Sequence, residues 1–333
     1  MEDIISISHG NGGKKTSKLI DEMIVPYFNN KELIELGDGA LLNVSGDITF
    51  STDSFVIDPY FFPGGNIGKL SICGTVNDLL MCGSVPKYIS LGLILEEGLK
   101  LSDLESIIKS IADTALSAGV KVVTGDTKVV DKGHGHGIYI NTAGIGEKIP
   151  NIELGKHRIN KGDKVIVSGN VGNHGVAILC EREKLLDTNI ISDCAVLNEP
   201  AQALLKFKEN IKILRDPTRG GVATTLNEFV EKSNLSIEIE ESAIPIASNV
   251  KTACDLLGLD PLYSANEGKI LAVVDAKIAN EALMELKSTE LGKDAAIIGE
   301  VVDYMPSKVL LKSMLGGRRI LDKLSYDILP RIC

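Results

Sequence analysis

The sequence predicts an α/β protein of two domains, because of its length, its composition and the order of its elements. The chain has 333 residues, which is more than one ordinary hydrophobic core contains, so two domains are expected. Hydrophobic residues make up 44% of the chain, aromatic residues make up 4%, and Trp is absent. A core of aliphatic side chains suits helices layered on sheets better than a sandwich that depends on aromatic residues.

The first domain is predicted over residues 1–150. It begins with a Gly-rich stretch and an amphipathic helix from about Thr16. Periodicity and β-branched residues then indicate, in order, strands over 39–46 and 47–57, a helix over 66–83, a strand over 87–97, a helix over 102–119, and strands over 120–130 and 138–147. Ser102 is expected to cap the helix that follows it, and Gly119 is expected to end that helix.

The second domain is predicted over residues 155–312, after a polar linker that contains Pro150 and Gly155. Its elements are predicted in the order strand 165–169, a helix from about Gly175, helices 195–210 and 221–233, strand 235–241, helix 247–258, strand 269–275, helix 276–288, and strands 295–303 and 308–312. Each half of the chain therefore mixes helices with strands, as α/β domains do.

Residues 313–333 are predicted to form a flexible tail that carries Cys333. Gly316 and Gly317 weaken any helix in this stretch. The steps from Ser313 to Cys333 span at most about 65 Å when extended, at about 3.3 Å per residue. Such an arm brings the Cys333 thiol to a cleft on its own chain or on a partner. The alternative is that the tail docks as a final strand or helix.

Charge and hydropathy exclude some classes of partner. The formal net charge is −10, which repels phosphate backbones and argues against nucleic-acid binding, while a small phosphate ligand remains compatible through a divalent cation. The opening "MEDIISISHG" lacks the basic residues of a signal peptide, and no stretch has the roughly 18 apolar residues of a membrane span.

The six cysteines predict a reducing compartment. They form no CxxC pair, and five of them lie in apolar surroundings: Cys73, Cys82, Cys180, Cys194 and Cys254. These five are expected to be reduced core thiols, so the cytoplasm is the predicted location.

Five acids next to small residues are the candidate cation ligands. They are Asp38, Asp53, Asp78 and Asp126 in the first half and Asp216 in the second. Carboxylates in apolar or Gly-rich surroundings are costly unless they are paired or bound to a cation. Mg²⁺ prefers oxygen ligands and shares its shell with substrate phosphates, so convergence of these acids on Mg²⁺ and a nucleotide explains the pattern. Taken singly, each Asp also fits a turn or a helix cap.

Two Gly-rich segments are candidates for binding phosphate through backbone N–H groups. "HGNGGKK" precedes a predicted helix, and "GNVGNHG" lies in the second half. Neither the P-loop pattern nor G-x-G-x-x-G occurs. Arg219 in "DPTRGG" suits either an anion clamp or a surface position. His134 and His136 are expected in a loop, since no third metal ligand has suitable spacing, and His174 has no predicted role.

Nine motifs together resemble the HypE family of hydrogenase maturation factors. They are "HGNGGK", "GDGA", "STDSFV", "GGNIGKLSICGTVNDLLMCG", "GDTKVV", "SGNVGNHG", "DPTRGG", "SANEGK" and "PRIC". The resemblance runs from about His9 to Cys333. Single motifs recur in aminoimidazole ribonucleotide synthetase, selenophosphate synthetase and thiamine monophosphate kinase, whereas Pro-Arg-Ile-Cys is specific to the HypE family.

The resemblance implies an aminoimidazole ribonucleotide synthetase-like fold and a homodimer whose first-domain strands form a β-barrel. It implies ATP and Mg²⁺ as ligands. It also implies that HypF transfers a carbamoyl group to Cys333, that ATP-dependent dehydration converts the S-carboxamide to an S-cyanide, and that the cyanide passes to iron held by HypC and HypD.

The same resemblance implies the residues of the site. The ATP-binding set is Gly10, Gly12, Gly13, Lys14, Asp38, Asp53, Asn77, Asp78, Asp126 and Asp216, and the Mg²⁺ ligands are Asp38, Asp53, Asp78 and Asp126. The catalytic set is Cys333, Glu267, Lys128 and Asp78. In this hypothesis Glu267 is a general base and Lys128 balances charge on a phosphorylated intermediate.

Two other functions fit the same motifs. One is an ATP-dependent kinase or synthetase that acts on a free small molecule, and the other is a carrier that ferries a group on Cys333 without catalysis.

Overall fold

The computed structural model of this chain describes residues 3–28, 30–34, 36–184 and 189–324. These fall into two compact units, the first of residues 3–79 and 84–148 and the second of residues 80–83 and 149–324. Residues 325–333, the last part of the predicted tail 313–333 with Cys333, lie outside the described residues. Within those ranges, no helix combines the length and the hydropathy that a bilayer span requires.

A four-stranded sheet forms the centre of the first unit. The strands of this unit are β1 (Ile48–Phe55), β2 (Phe61–Phe62), β3 (Gly65–Asn66), β4 (Ser84–Glu96), β5 (Lys121–Val130) and β6 (Ile138–Lys148). The sheet has the order β1-β6-β4-β5, while β2 and β3 pair only with each other. Strands β4 and β5 run parallel, and β6 runs antiparallel to both of its neighbours.

Helices cover one face of this sheet. The helices of the unit are α1 (Lys14–Leu19), α2 (Val25–Phe28), α3 (Lys31–Ile34), α4 (Ile67–Met81) and α5 (Leu101–Ala118), with a π-helical turn at Ile20–Ile24 between the first two. Thr142 on β6 shares a hydrogen bond of 2.6 Å with Thr75 on α4, which fixes the covered face. On the other face, the side chains of Phe50 and Ile94 are 68% and 42% exposed.

A seven-stranded sheet forms the centre of the second unit. Its strands are β7 (Lys164–Val167), β8 (Ile211–Arg215), β9 (Ser236–Glu240), β10 (Leu271–Val274), β11 (Ala296–Val302), β12 (Val309–Lys312) and β13 (Arg318–Ile320), in the sheet order β13-β12-β9-β11-β7-β10-β8. Its helices are α6 (Asn173–Glu183), α7 (Asn198–Leu205), α8 (Gly221–Val230), α9 (Ser248–Leu257) and α10 (Ala279–Lys287). Apolar side chains of α8, among them Leu226 and Phe229, join Val165 and Val273 of the sheet in one buried core.

The structure confirms the α/β class and corrects four of the predicted details. Residues 39–46 form no strand, because they pair with no other strand among the described residues. Helix α5 begins at Leu101 after Lys100, so Ser102 is not its cap, although Gly119 ends it in the left-handed conformation with φ 72°. Strand β8 lies directly after the predicted helix 195–210, where the sequence pattern predicts no strand. Cys82 is exposed, whereas the other four cysteines of the predicted set are buried.

The first part of the predicted tail is docked. Strand β13 pairs antiparallel with β12, and Leu321 is fully buried in the core of the second unit. The Asn227 amide donates to the Leu321 carbonyl at 2.7 Å. The docked part of the predicted tail therefore reaches at least Leu321, and the rest of the chain to Cys333 spans at most roughly 40 Å when extended, instead of the roughly 65 Å predicted for the whole tail.

Candidate functional site

The N-terminal glycine segment lies against strand β5. A Cβ atom on Gly10 would stand 2.6 Å from the Val129 backbone nitrogen, so only glycine permits this approach. Gly10 and Gly12 line a cavity of about 210 Å³ together with Asp126 and Lys128. The structure therefore brings these four predicted site residues to one place.

Donors of the glycine segment are bonded to nearby side chains. The Gly12 N–H donates to Thr16 Oγ1 at 3.0 Å, and the Gly13 N–H donates to Asn11 Oδ1 at 3.0 Å. Lys14 begins helix α1 and is exposed. A phosphate that binds here has to displace Thr16 Oγ1 and Asn11 Oδ1. Rotation of these two side chains is enough to free the N–H groups.

Asp126 and Lys128 form an exposed ion pair. Lys128 Nζ lies 2.8 Å from the Asp126 carboxylate, and the two side chains are 63% and 70% exposed. The hydrogen bond from Lys128 lowers the pKa of Asp126, and the Thr127 N–H adds to the effect. Pairs this exposed contribute at most about 1 kcal/mol, so Lys128 can exchange Asp126 for another anion at small cost.

Asp53 on strand β1 and Asp78 on helix α4 both lie near the contact between these two elements. Ser51 Oγ donates to Asp78 Oδ2 at 2.7 Å. Asp53 accepts the Ser54 N–H at 2.8 Å, and its other oxygen lies 3.7 Å from the point where a Cβ on Gly74 would stand. Asn77 precedes Asp78 on the helix and is 1% exposed. Two carboxylates and a buried amide are thus concentrated at this contact.

The four predicted magnesium ligands do not form one cluster within the described part of a single chain. Asp53 pairs with Thr142, Thr142 with Leu91, and Leu91 with Gly125, the neighbour of Asp126. Three strand spacings of about 4.8 Å separate Asp53 from Asp126, and alternation points their side chains to opposite faces. In the same ranges, no three His, Cys, Asp or Glu side chains lie close enough to hold a metal ion. Asp38 is exposed in the irregular stretch 36–47.

Asp216 and Glu267 belong to the second unit and are both 6% exposed. Asp216 follows β8 in the turn that leads to α8. Glu267 lies in an irregular stretch before β10, where its N–H donates to Asp193 Oδ1 at 3.1 Å and its carbonyl accepts the Ala195 N–H at 3.2 Å. The catalytic candidate Cys333 lies outside the described residues.

Sequence reasoning missed the side chains that hold Glu267, namely Asn266, Asp193 and Lys269. Lys269 lies 3.4 Å from Asp193, and both side chains are almost fully buried. The signal for two of them was the motif "SANEGK", in which polar residues directly precede the apolar strand β10. Asp193 carried no signal, because its contact with Glu267 joins positions 74 residues apart.

Three histidines of the predicted motifs lie in a loop and in a helix. His134 and His136 lie in the connection from β5 to β6, where His136 Nδ1 is 2.8 Å from the Tyr139 hydroxyl. His174 on α6 is fully buried, with Nδ1 at 2.8 Å from Ser192 Oγ. Burial lowers the pKa of His174 to about 4, against a smaller opposing effect of Asp193, so the ring is neutral at physiological pH.

Comparison with known proteins identifies the family of the chain. Residues 36–147 match the family of AIR synthase related proteins, N-terminal domain, and residues 160–310 match its C-terminal domain. The carbamoyl dehydratase HypE of Escherichia coli (strain K12) is 46% identical over 336 residues, which cover 99% of both chains.

Solved structures give the same result. The crystal structure of the hydrogenase maturation protein HypE in complex with ATP has a TM-score of 0.94 and 42% identity, covering 98% of this chain and 99% of that chain. A HypE–HypF complex matches with a TM-score of 0.81 and 46% identity, over 92% of this chain and 99% of that chain. The chain therefore belongs to the HypE family of hydrogenase maturation proteins, within the AIR synthase related proteins.

Proposed function

We propose that this chain dehydrates a carboxamide held on the sulfur of its own Cys333 to an S-cyanide, with ATP as co-substrate. The cyanide would serve in the maturation of nickel–iron hydrogenases. The observation that carries the proposal is the match to a carbamoyl dehydratase HypE along 99% of both chains. The ATP complex of a relative supports ATP as the co-substrate. The four buried free thiols support the predicted cytoplasmic location.

The chemistry requires a leaving group for the carboxamide oxygen. In the proposed reaction this oxygen attacks the γ-phosphorus of ATP, the bond from that phosphorus to the bridging oxygen breaks, and ADP departs. The carbon–oxygen bond then breaks and phosphate leaves, while the nitrogen loses both protons and forms the triple bond. One proton ends on phosphate and the other in solvent, so R–S–CO–NH₂ and ATP yield R–S–CN, ADP and phosphate.

Residues of the first unit would hold the nucleotide. The N–H groups of Gly12 and Gly13 would donate to phosphate oxygens, with Lys14 as a nearby cation. Gly10, whose N–H is bonded to the Ile7 carbonyl at 3.0 Å, would contribute through its close approach to strand β5. Lys128 would leave Asp126 and balance the charge that develops on the transferred phosphoryl group. The exposure and small free energy of the Asp126–Lys128 pair support this exchange.

Mg²⁺ is the proposed cation, and the acids beside helix α4 fit it. Mg²⁺ is commonly held by one or two carboxylates together with phosphate oxygens and water. Asp53 and Asp78 provide such a pair, with Asp38 and Asp126 as further proposed ligands and Asn77 as an amide nearby. Bound there, the ion would neutralise the triphosphate.

Two copies of the chain are proposed to complete each nucleotide site. The first unit of one chain contains two groups of proposed site residues that lie apart, each of which we call a half-site. One half-site consists of Gly10, Gly12, Asp126 and Lys128, and the other consists of Asp53, Asn77 and Asp78. A homodimer formed through the strands of the first unit would bring one half-site to the other half-site of the partner copy.

Mixing variants tests this arrangement. Asp78→Ala and Lys128→Ala are each expected to be inactive alone. After subunit exchange in an equal mixture, half of the dimers contain one intact site of two, so activity should return to about a quarter of the wild-type value. A mixture that stays inactive after verified exchange contradicts a shared site.

Glu267 is the proposed general base for the nitrogen protons. Its burial and its position on an irregular stretch support a role beyond that of a surface acid. Asp216, also buried in the second unit, is proposed to assist nucleotide binding. HypF is the proposed carbamoyl donor, supported by the HypE–HypF complex, and the HypC–HypD complex is the proposed acceptor of cyanide.

Mass spectrometry of the peptide that ends in Cys333 tests the function. A carbamoylated Cys333 should lose the mass of one water when ATP is added and should remain unchanged without ATP. A Cys333→Ala variant should neither accept the carbamoyl group nor release cyanide. If that variant still yields cyanide, or if free small molecules are turned over equally well after deletion of the last three residues, the proposal is wrong.

A further inference from the structure

Glu267 lies in a stretch whose backbone is not fixed by a helix or a strand. Residues 264–270 are irregular, between the 3-10 turn Pro261–Tyr263 and strand β10. A general base has to be held within a fraction of an ångström of its productive position, since misplacement by about 1 Å costs on the order of 10²-fold in rate. Other side chains therefore have to fix the direction in which Glu267 points.

Asn266 is bonded to two other segments and to its own stretch of chain. Its Oδ1 accepts the Gly172 N–H at 2.8 Å, and its Nδ2 donates to the carbonyls of Pro217 and Ser264, both at 3.1 Å. Its backbone N–H also donates to Pro217 at 3.1 Å. Asn266 is fully buried, so loss of its amide would leave several buried groups without partners, which is costly.

Asp193 holds the other side of Glu267. Its Oδ1 accepts the Glu267 N–H at 3.1 Å, and its second oxygen lies 3.4 Å from Lys269 Nζ. The backbone of Gly268 lies directly on that of Asp193, because a Cβ there would stand 1.8 Å from the Asp193 carbonyl oxygen. The Ala195 N–H also donates to the Glu267 carbonyl, at 3.2 Å, so both backbone polar groups of Glu267 are bonded to the segment of Asp193.

A buried ion pair at this place calls for an explanation. The Lys269 and Asp193 side chains are 11% and 5% exposed. Desolvation of both charges offsets most of their attraction, so apolar residues of the same size would give similar stability. The pair instead fixes the orientation of the Asp193 side chain. Because one carboxylate oxygen faces Lys269, the other oxygen faces the Glu267 N–H and accepts its hydrogen bond.

We propose that Asn266 and Asp193 are positioning residues that fix the Glu267 carboxylate for proton removal, with Lys269 holding Asp193 in place. This inference rests on the proposed function of Glu267 as the base. Neither Asn266 nor Asp193 contacts substrate in this account, since both act through the peptide of residues 266–268.

The test compares Asn266→Ala and Asp193→Ala with Asp163→Ala. Asp163 is a matched control, because it is an equally buried acid of the same unit that accepts a backbone N–H, from Asn160 at 2.7 Å. The rescue variant is the double change Asp193→Asn with Lys269→Met, which keeps an acceptor oxygen and removes both charges. The readouts are the dehydration rate of carbamoylated protein at saturating ATP, the KM for ATP, and hydrogen exchange of the Glu267 amide.

Asn266→Ala and Asp193→Ala are expected to lower the rate by about 10- to 100-fold, at a temperature where each variant is folded, and to leave the KM for ATP within about twofold. Asp193→Ala should also speed exchange of the Glu267 amide by about tenfold or more. Asp163→Ala should lower only the melting temperature, and the double variant should recover a rate within about threefold of wild type.

Two results would overturn the inference. One is wild-type exchange at the Glu267 amide in Asp193→Ala, which decides the matter even if no variant shows turnover. The other is faster exchange with an undiminished rate. Failure of the proposed function looks different, because Glu267→Gln would then dehydrate carbamoylated Cys333 as fast as wild type while exchange in Asp193→Ala still rises.

Discussion

The two units of the chain hold their polar site residues in opposite ways. In the first unit, Asp126 and Lys128 form a pair whose side chains are more than 60% exposed. In the second unit, Asp193 and Lys269 form a pair whose side chains are at most 11% exposed. Charges near solvent exchange partners at little cost, whereas buried charges keep one partner. The first arrangement suits a nucleotide that enters and leaves, and the second suits a base that must not move.

The largest expected effect follows from the buried region. Glu267→Gln keeps the size of the side chain and removes its ability to accept a proton. The dehydration rate should fall by about 10²- to 10⁴-fold with ATP binding retained, because that is the usual contribution of a general base. Single-turnover mass spectrometry measures the rate. Glu240→Gln, at an exposed acid on β9 that is paired with Lys312, should keep the wild-type rate, and a Glu267→Gln variant as fast as this control contradicts the role.

The next largest effect is the dependence of the free energy of unfolding on pH, which follows from the buried side chain of His174. Burial lowers the pKa of His174 to about 4 in the folded chain, below the ordinary histidine value of about 6.5. The unfolded chain therefore binds a proton that the folded chain does not, and stability is lost as pH falls from about 6.5 to 4. The linkage amounts to about 3 kcal/mol, all of it present above pH 6.5.

Urea unfolding at several pH values measures this loss. His174→Gln removes the titrating ring, so the variant should lose about 3 kcal/mol less than wild type between pH 6.5 and 4. If the free energy of unfolding falls equally with pH in the two proteins, burial of the His174 ring does not cause the loss of stability at low pH.

The smallest effect is expected in the exposed region. Asp126→Ala should raise the KM for ATP by about tenfold, while the free energy of unfolding changes by less than about 1 kcal/mol. ATPase kinetics and thermal unfolding measure the two quantities. Asp303→Ala, which breaks a similar exposed pair with Lys161, should leave the KM unchanged. A large loss of stability in Asp126→Ala would contradict the conclusion that the exposed Asp126–Lys128 pair, unlike the buried pair of the second unit, contributes little to folding.

Local patterns predicted much of the fold. Alternation located β1 with Asp53, and Gly119 marked the end of α5 because a left-handed residue suits glycine there. The patterns failed where pairing decides the outcome. Residues 39–46 were predicted as a strand yet pair with no strand of the described ranges, while Ile211–Arg215 becomes a strand through its pairing with β10.

The candidate site was predictable only in part, for the same physical reason. The first-unit acids stood out because each lies beside glycine or within an apolar stretch. Asn266 and Asp193 did not, since their partners are distant in sequence, and only the fold shows that Asn266 joins the segments around Gly172 and Pro217. Cys82 shows the converse error, because an apolar sequence context did not bury it.

In the proposed reaction, the carboxamide oxygen on Cys333 leaves as part of phosphate. The most direct measurement loads Cys333 with a carboxamide that contains heavy oxygen, adds ATP and analyses the released phosphate by mass spectrometry. The account predicts one heavy oxygen in each phosphate formed together with S-cyanide. Unlabelled phosphate, with the heavy oxygen found in water or retained on Cys333, would contradict it.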